Sequence, residues 1–451
     1  MMRLLFVLLI GILAGSDIFG TGLSLGPGLS VKNALLYPIA LGLLFRMALS
    51  GRFRMRLPLV NVAFIVWIAY AILTYIACIT LIHYPGYDAR TMGIELKSVL
   101  IDSALFFFTF FYGTEGERDF LLLTKTLAFC IGIANILTLA DLAGIVNLGI
   151  TIGTGGVEAD RVFGVFGHAN DTAALIVCLL PMMVAVAFSS RGPVRLFWYA
   201  GVFASLAVLM LTVSRGAYVG LALGYAWAVW LCRRYLPTSR VIAWTLIGLT
   251  GVVLAGGLAV VLMPDITQVF SQRLFNQSMA FSMSEASSGR TTIWVRTIDT
   301  MMAHPITLLT GFGWDVYHTM FELVTHNYYL DLWFGLGLIG LFSFLTIQYQ
   351  SIAAAKRAIA TAGPLRPYMI AFVFGMLGLA VCIFFVNLDR PWSYVWVYIG
   401  FTARAAADLL EQARSGVARP ATVSAPLKPV VSAPAARARA APRRLVGEVR
   451  R

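Results

Sequence analysis

Residues 58–82 read PLVNVAFIVWIAYAILTYIACITLI and contain no charged side chain. The hydrocarbon core of a bilayer is about 30 Å thick, and a helix of about 20 apolar residues crosses it. This run therefore predicts a membrane-spanning helix. A continuous apolar run also argues against a porin-like β-barrel, whose strands alternate apolar and polar residues.

The rest of the chain repeats this pattern. Hydrophobic residues make up 59% of the 451 residues and charged residues only 12%, which excludes an ordinary soluble globular protein. Twelve apolar segments are long enough to cross a bilayer, at residues 4–20, 31–49, 58–82, 97–113, 120–142, 168–188, 196–213, 216–232, 241–263, 327–349, 367–388 and 392–409. We therefore predict an all-α polytopic membrane domain of about 12 transmembrane helices over residues 1–409. Alternatively, the first segment is a cleaved signal peptide, although no small-x-small cleavage site follows it.

The basic residues predict the orientation of these helices. With a cytoplasmic N-terminus, only nine of the 34 Lys and Arg residues fall in outer segments, so the positive-inside rule places both termini in the cytoplasm. Much of the net charge of +13 lies near the C-terminus, where ten basic residues accompany three acidic ones from Arg404 onward. Residues 410–451 are rich in Ala and Pro, and we predict a disordered basic cytoplasmic tail attracted to anionic lipid. This location argues against a nucleic-acid-binding domain.

Residues 264–326 form a polar island between two apolar segments, and the orientation above makes them a large, partly helical periplasmic loop. A helical pattern runs from Arg290 to about Ala303, and Pro305 then disfavours further helix. Apolar residues recur within it at the spacing typical of a helix on a membrane surface: Ile293, Trp294, Ile298, Met301 and Met302. The following segment Gly311-Phe-Gly-Trp314 predicts a flexible aromatic turn that suits a sugar.

Three arginines lie at predicted outer ends of helices. Arg161 precedes the sixth segment, where Asn170 or Asp171 is expected to cap the helix. Arg215 lies in a very short connection, and Arg290 opens the island helix. Guanidinium groups beside helix N-termini favour an anion. The alternatives are that Arg161 reaches to the water interface and that Arg215 anchors a turn.

His326 is the best candidate for a general base, because a histidine near its ordinary pKa accepts a proton at neutral pH. Glu322 and Asp331 are alternative bases, and a purely structural histidine is the other reading. The five cysteines fall in apolar runs and are expected to be buried thiols. Glu158 and Asp160 lack a second acidic cluster, so we predict neither a metal nor a cofactor.

The order and spacing of these residues resemble the O-antigen ligase and polymerase family, which includes exopolysaccharide polymerases. The resemblance covers residues 120–350 and is specific as an ordered set. Its motifs are Arg161…Gly164…Gly167-x-x-Asn170, Thr212-Val-Ser-Arg215-Gly-Ala217, Ser288-Gly-Arg290-Thr-x-x-Trp294…His304-Pro305…Gly311-x-Gly313 and His326-Asn327-x-x-Leu330…Gly335-x-Gly337-x-x-Gly340.

The resemblance implies a GT-C-like, metal-independent glycosyltransferase at the periplasmic face of the bacterial inner membrane. Its donor would be a glycan on undecaprenyl diphosphate, passed to lipid A core by a ligase or to another lipid-linked repeat by a polymerase. Arg161, Arg215 and Arg290 would bind the donor diphosphate, and His326 would activate the acceptor hydroxyl with inversion of the anomeric carbon. Further contacts to acceptor or sugar are expected from Asn170, Trp294, Trp314, Glu322 and Asn327. Membrane lipids and polysaccharide assembly proteins are the expected partners.

Other classes of protein remain possible at this stage. A transporter of lipid-linked oligosaccharide would place charges near the bilayer midplane, where Asp102 is the main candidate. A non-catalytic scaffold of a polysaccharide assembly complex, or an oligosaccharyltransferase acting on protein, is also compatible with the sequence. The clustering of charged groups at the predicted outer edge favours chemistry at the membrane surface.

Overall fold

The computed structural model describes residues 2–20, 24–26, 28–50, 55–149, 161–271, 289–321, 324–388 and 391–415. Within these ranges the regular secondary structure is helical apart from one short hairpin of β1 (Ser24–Gly26) and β2 (Leu29–Ser30). Eight of the helices described are long and apolar enough to cross a membrane. The prediction of an all-α polytopic membrane protein is confirmed.

The first half of the chain forms nine helices among the described residues. Their bounds are α1 Met2–Ile18, α2 Val31–Ser50, α3 Pro58–Ala77, α4 Ala89–Glu95, α5 Asp102–Gly113, α6 Gly116–Leu142, α7 Ala169–Ser189, α8 Val194–Leu211 and α9 Arg215–Cys232. Two π-helical turns extend this set, Cys78–Ile82 directly after α3 and Leu96–Ile101 between α4 and α5.

The second half continues with α10 Thr238–Leu262, α11 Ile266–Ser271, α12 Arg290–Ala303, α13 Ile306–Thr310, α14 Val316–Phe321, α15 Tyr328–Ala358, α16 Arg366–Cys382 and α17 Trp392–Arg414. The predicted island helix is confirmed as α12. Helix α17 includes residues 410–414, which the sequence assigned to the tail, and residues 416–451 lie outside the described residues.

All twelve predicted segments fall on helices, but four of these helices do not qualify as spans by length and composition. Helices α1 and α5 have only 17 and 12 residues, and α9 and α17 are less apolar than the eight that qualify. That these four helices also cross the membrane therefore stays a prediction.

Ion pairs gather several helix ends at one side of the bundle. Arg3 pairs with Asp119, Arg46 with Glu115, and Arg56 with both Asp408 and Glu411. These residues belong to the start of α1, the end of α2, the segment before α3, the α5–α6 connection, the start of α6 and the end of α17. We call this side the ion-paired end. Every one of these segments is predicted to be cytoplasmic from the distribution of basic residues.

Glycines allow α9 to approach α16 closely. A Cβ at Gly220 would lie 2.4 Å from the Cys382 sulfur, and one at Gly224 would lie 2.5 Å from Gly378 Cα. Small residues at intervals of four let two membrane helices pack backbone to backbone. This contact fixes the position of the first turn of α9, which begins at Arg215.

Helix α15 is interrupted at Gly337, where φ is +60°. The segment before α14 crosses it there, with Phe312 N donating to Phe334 O and Gly313 N donating to Gly335 O at 2.8 Å each. A Cβ at Gly337 would lie 2.1 Å from Leu309 O, so the crossing requires glycine. The prediction of a flexible aromatic turn at residues 311–314 is wrong, because these contacts fix its backbone.

Candidate functional site

One pocket of about 220 Å³ is lined by Arg161, Arg215, Arg290 and His326. These residues are separated by up to 165 positions in the sequence. Arg215 and Arg290 begin two different helices, and Arg161 and His326 lie in two connections. The structure thus brings together the three arginines expected to bind the donor diphosphate and the histidine expected to act as the base. We call the side of the bundle that holds this cavity the pocket end.

Arg161 is buried, with a relative exposure of 1%, and neutral oxygens hold it. Its Nε donates to Thr212 O at 2.8 Å and its Nη2 to Asn170 Oδ1 at 2.7 Å. The Ser214 hydroxyl donates to the same Asn170 oxygen at 3.0 Å. Asn170 therefore links the arginine to the α8–α9 connection, and the guanidinium is fixed in orientation.

The segment after Arg161 folds tightly against the start of α7. Gly164 has a φ of +65°, and a Cβ there would lie 3.1 Å from the Thr172 side chain. The Phe163 and His168 rings stack with centroids 5.5 Å apart. His168 caps α7 by accepting the Asn170 N–H at its Nδ1. The prediction that Asn170 or Asp171 caps this helix is wrong, because Asn170 lies within the first turn and its side chain binds Arg161.

Arg215 is presented by a sharp connection between α8 and α9. Val213 adopts a φ of +45°, a conformation that is strained for a β-branched residue, and Ser214 is extended at the N-cap position. A Cβ at Gly216 would lie 2.8 Å from Phe385 Cβ. Arg215 is therefore held against the segment that follows α16.

Arg290 is the first residue of α12, after Gly289 with a φ of +80°. Helix α12 is tied to the segment before His326 because the Trp294 indole N–H donates to Thr325 O at 2.9 Å. The Trp294 ring also contacts Phe384 edge to face at 5.4 Å. This arrangement couples the position of Arg290 to that of His326.

His326 has a φ of +50°, in the left-handed region that non-glycine residues rarely adopt. The neighbours on both sides are buried and bonded. The Thr325 hydroxyl donates to Asn387 Oδ1 at 3.0 Å, and Asn327 caps α15 by accepting the Leu330 N–H at 3.1 Å. Tyr328 N donates to Ile383 O at 2.9 Å. The surroundings thus impose the conformation of His326, as is common at functional sites.

The electrostatics of the pocket favour an anion. Helices α7, α9, α12 and α15 all begin at the pocket or within two residues of a lining residue, and helix N-termini carry partial positive charge. The lining residues that the structure describes include three arginines and no Asp or Glu. Guanidinium groups bind phosphate oxygens with charge-assisted hydrogen bonds, so the pocket suits a phosphate-containing group.

The five predicted sugar or acceptor contacts have different outcomes. Asn170 lines the pocket, whereas Trp294 and Asn327 make the structural hydrogen bonds given above. Trp314 is buried, and its backbone carbonyl accepts the Tyr87 hydroxyl. Glu322 lies outside the described residues. The cavity is not lined by Trp294, Trp314 or Asn327.

Sequence reasoning missed one wall of the pocket. Cys382, Phe385 and Val386 come from the end of α16 and the segment that follows it. Apolar residues at the end of an apolar run carry no chemical signal. The glycine spacing at positions 216, 220 and 224 is a signal, not used in the sequence analysis, that α9 approaches another helix closely, although it does not say which one.

No metal site accompanies the pocket in the part of the chain that the structure describes. Among those residues there is no group of three or more His, Cys, Asp or Glu side chains that could hold a metal ion. Glu158 and Asp160, the acidic pair considered from sequence, lie outside them. The three arginines supply the positive charge of the site.

The comparison with known families agrees with the motifs. Residues 200–345 match the family model described as O-antigen ligase. The matched range contains Arg215, Arg290 and His326, whereas Arg161 precedes it. No curated protein matches the chain. The match supports the resemblance of the motifs to the O-antigen ligase family over residues 200–345.

Proposed function

We propose that this protein is a membrane glycosyltransferase of the O-antigen ligase type. It moves a glycan from undecaprenyl diphosphate to a hydroxyl acceptor, which is lipid A core or another lipid-linked repeat. The observation that carries this proposal is the convergence of Arg161, Arg215, Arg290 and His326 in one pocket.

In the proposed reaction, His326 accepts the proton of the acceptor hydroxyl as its oxygen attacks the anomeric carbon. The bond between that carbon and the diphosphate oxygen breaks, and its electron pair stays on the diphosphate. The three guanidinium groups stabilise this developing charge, as fixed cations do in other transfer reactions. Attack from the face opposite the leaving group inverts the anomeric carbon.

The three arginines are positioned in two different ways, and both suit the stabilisation of charge on the diphosphate. Arg161 is held by neutral oxygens of Thr212 and Asn170, so its charge is fixed in place before the donor arrives. Arg215 and Arg290 each begin a helix, where the helix dipole adds to the charge of the side chain. Preorganised charges need no rearrangement as the reaction proceeds.

The size of the pocket supports a site that holds only the reacting groups of the donor and not its whole glycan. Its volume of about 220 Å³ is below the roughly 300–1,000 Å³ of typical small-molecule sites. The diphosphate and the sugar attached to it would enter, while the rest of the glycan extends outward. The basic residues of the sequence favour a periplasmic position for this end of the protein.

The proposal is tested with purified protein in lipid nanodiscs, a synthetic diphosphate-linked glycan donor and candidate acceptors. We expect a new glycosidic bond and release of the lipid diphosphate, both detected by mass spectrometry, and loss of both in His326→Ala. Movement of intact donor across the bilayer without bond formation would instead indicate a transporter. Glycans of a gene-deletion strain separate ligase from polymerase: accumulated lipid-linked polymer indicates a ligase, and single-repeat products indicate a polymerase.

A further inference from the structure

Helix α12 has three chemically different faces. Thr297 and Met301 are buried against the protein, and Arg296 and Asp299 are on a polar exposed face. A third face is apolar yet exposed, and it continues onto α13. Its members, which we call the outer stripe, are Val295, Ile298, Met302, Ile306 and Leu309, exposed by 43% to 69%.

The outer stripe ends where the chain packs between two membrane-spanning helices. Gly313 N bonds Gly335 O, and Gly335 lies seven residues inside the start of α15, which is about 10 Å along a helix. On the opposite side, the Tyr70 hydroxyl donates to Thr310 O at 2.7 Å. Tyr70 lies twelve residues before Ile82, the end of the span that contains α3.

The backbone between α13 and α14 is satisfied by protein groups in the way that membrane depth requires. The hydroxyls of Tyr84 and Tyr87 donate to Phe312 O and Trp314 O at 2.9 and 2.8 Å. Non-helical backbone below the membrane surface occurs only where protein or a water-filled cavity covers it. A loop exposed to water would not need partners from two spanning helices.

We propose that α13 and the outer stripe of α12 are inserted among the lipid acyl chains of the leaflet at the pocket end. Residues 290–314 are then a re-entrant element instead of a purely aqueous loop. The three faces of α12 meet protein, lipid and water, respectively, as in helices that lie in a membrane interface. The same insertion holds Arg290, at the start of α12, close to the membrane surface.

Fluorescence quenching tests this inference without reference to catalysis. Ile306→Cys and Leu309→Cys are labelled with a bimane fluorophore, with Asp299→Cys on the polar face as the matched control. The five native cysteines are buried, and unmodified protein gives the background. Each sample is reconstituted in nanodiscs of phosphatidylcholine with brominated acyl chains, and iodide serves as the quencher in water.

We expect brominated lipid to quench the labels at 306 and 309 several-fold more than the label at 299, and iodide to show the reverse order. Equal quenching by iodide at all three positions would overturn the proposal, because it would place the stripe in water. Quenching of 306 and 309 by neither agent would also overturn it, because another part of the chain would then cover them. Retention of a monodisperse gel-filtration profile confirms that each variant is folded, and Met302→Cys replaces one that is not.

Discussion

The two ends of the helical bundle use arginine in different ways. At the ion-paired end, Arg3, Arg46 and Arg56 meet carboxylates on other segments, and Arg404 bonds Asp408 on its own helix. At the pocket end, the lining residues that the structure describes include three arginines and no carboxylate. A cation matched by a carboxylate holds helices together. Three guanidinium groups that line one cavity suit an anion that comes from outside the protein.

The largest expected effect of a single change is at His326. His326→Ala should lower the turnover of glycan transfer by about 10²- to 10⁴-fold, because it removes the group that accepts the acceptor proton. Transfer is measured in nanodiscs at saturating donor and acceptor. His318→Ala, a change outside the pocket lining, is the matched control and should keep its turnover. Transfer by His326→Ala at the wild-type rate would eliminate its assignment as base.

Arg215→Ala and Arg290→Ala should each lower turnover by about 10²- to 10³-fold, because each removes a donor to the developing diphosphate charge. The corresponding Lys variants should recover part of this loss, since they restore charge without the planar fork of a guanidinium. Arg46→Ala at the ion-paired end is the control that sharpens the comparison. An equal loss in Arg46→Ala would mean that the two ends do not differ as described.

A smaller effect is expected at Asn387, which holds Thr325 and through it the conformation of His326. Asn387→Ala and Thr325→Val should each lower kcat by about 10-fold while the KM for the donor stays near its wild-type value, because only the base is displaced. Thr325→Ser keeps the hydroxyl and should keep kcat. A parallel loss in Thr325→Ser would show that methyl packing, not the hydrogen bond, is responsible.

The smallest effect on transfer is expected for Arg56→Ala, which removes ion pairs to Asp408 and Glu411. These side chains are partly exposed, so the change should lower the free energy of unfolding by about 1–2 kcal/mol and leave turnover unchanged. Thermal unfolding in detergent, followed by tryptophan fluorescence, measures the first quantity. Loss of turnover without loss of stability would place Arg56 in the catalytic machinery.

The sequence predicted the helices well because an apolar run long enough to span a bilayer is a local signal. The bounds predicted for α12 agree with the structure for the same reason, since Gly289 and Pro305 flank a regular helical pattern. The predicted cap of α7 was wrong. Asn170 has a good capping side chain, but that side chain binds Arg161, nine residues earlier.

The site was predicted only in part. The residue types that carry its chemistry can be read from short stretches of sequence, but their arrangement in space cannot. Arginine and histidine at helix starts are visible in the sequence, whereas their convergence depends on the close packing of α9 with α16. The error at Gly311–Trp314 has the same origin. The Gly-x-Gly spacing predicts flexibility, but the chain partners that fix it are at Gly335 and Gly337, more than twenty positions away.

The interruption of α15 at Gly337 has a mechanical consequence. A straight helix of 31 residues would be about 46 Å long, and a change in bilayer thickness would tilt all of it. Because the first nine residues form a separate short helix fastened to the 309–313 segment, the longer part can tilt without carrying His326 with it. The geometry around the base therefore does not follow the tilt of the longer part of α15, and it depends instead on the position of α12, to which the Trp294–Thr325 hydrogen bond ties it.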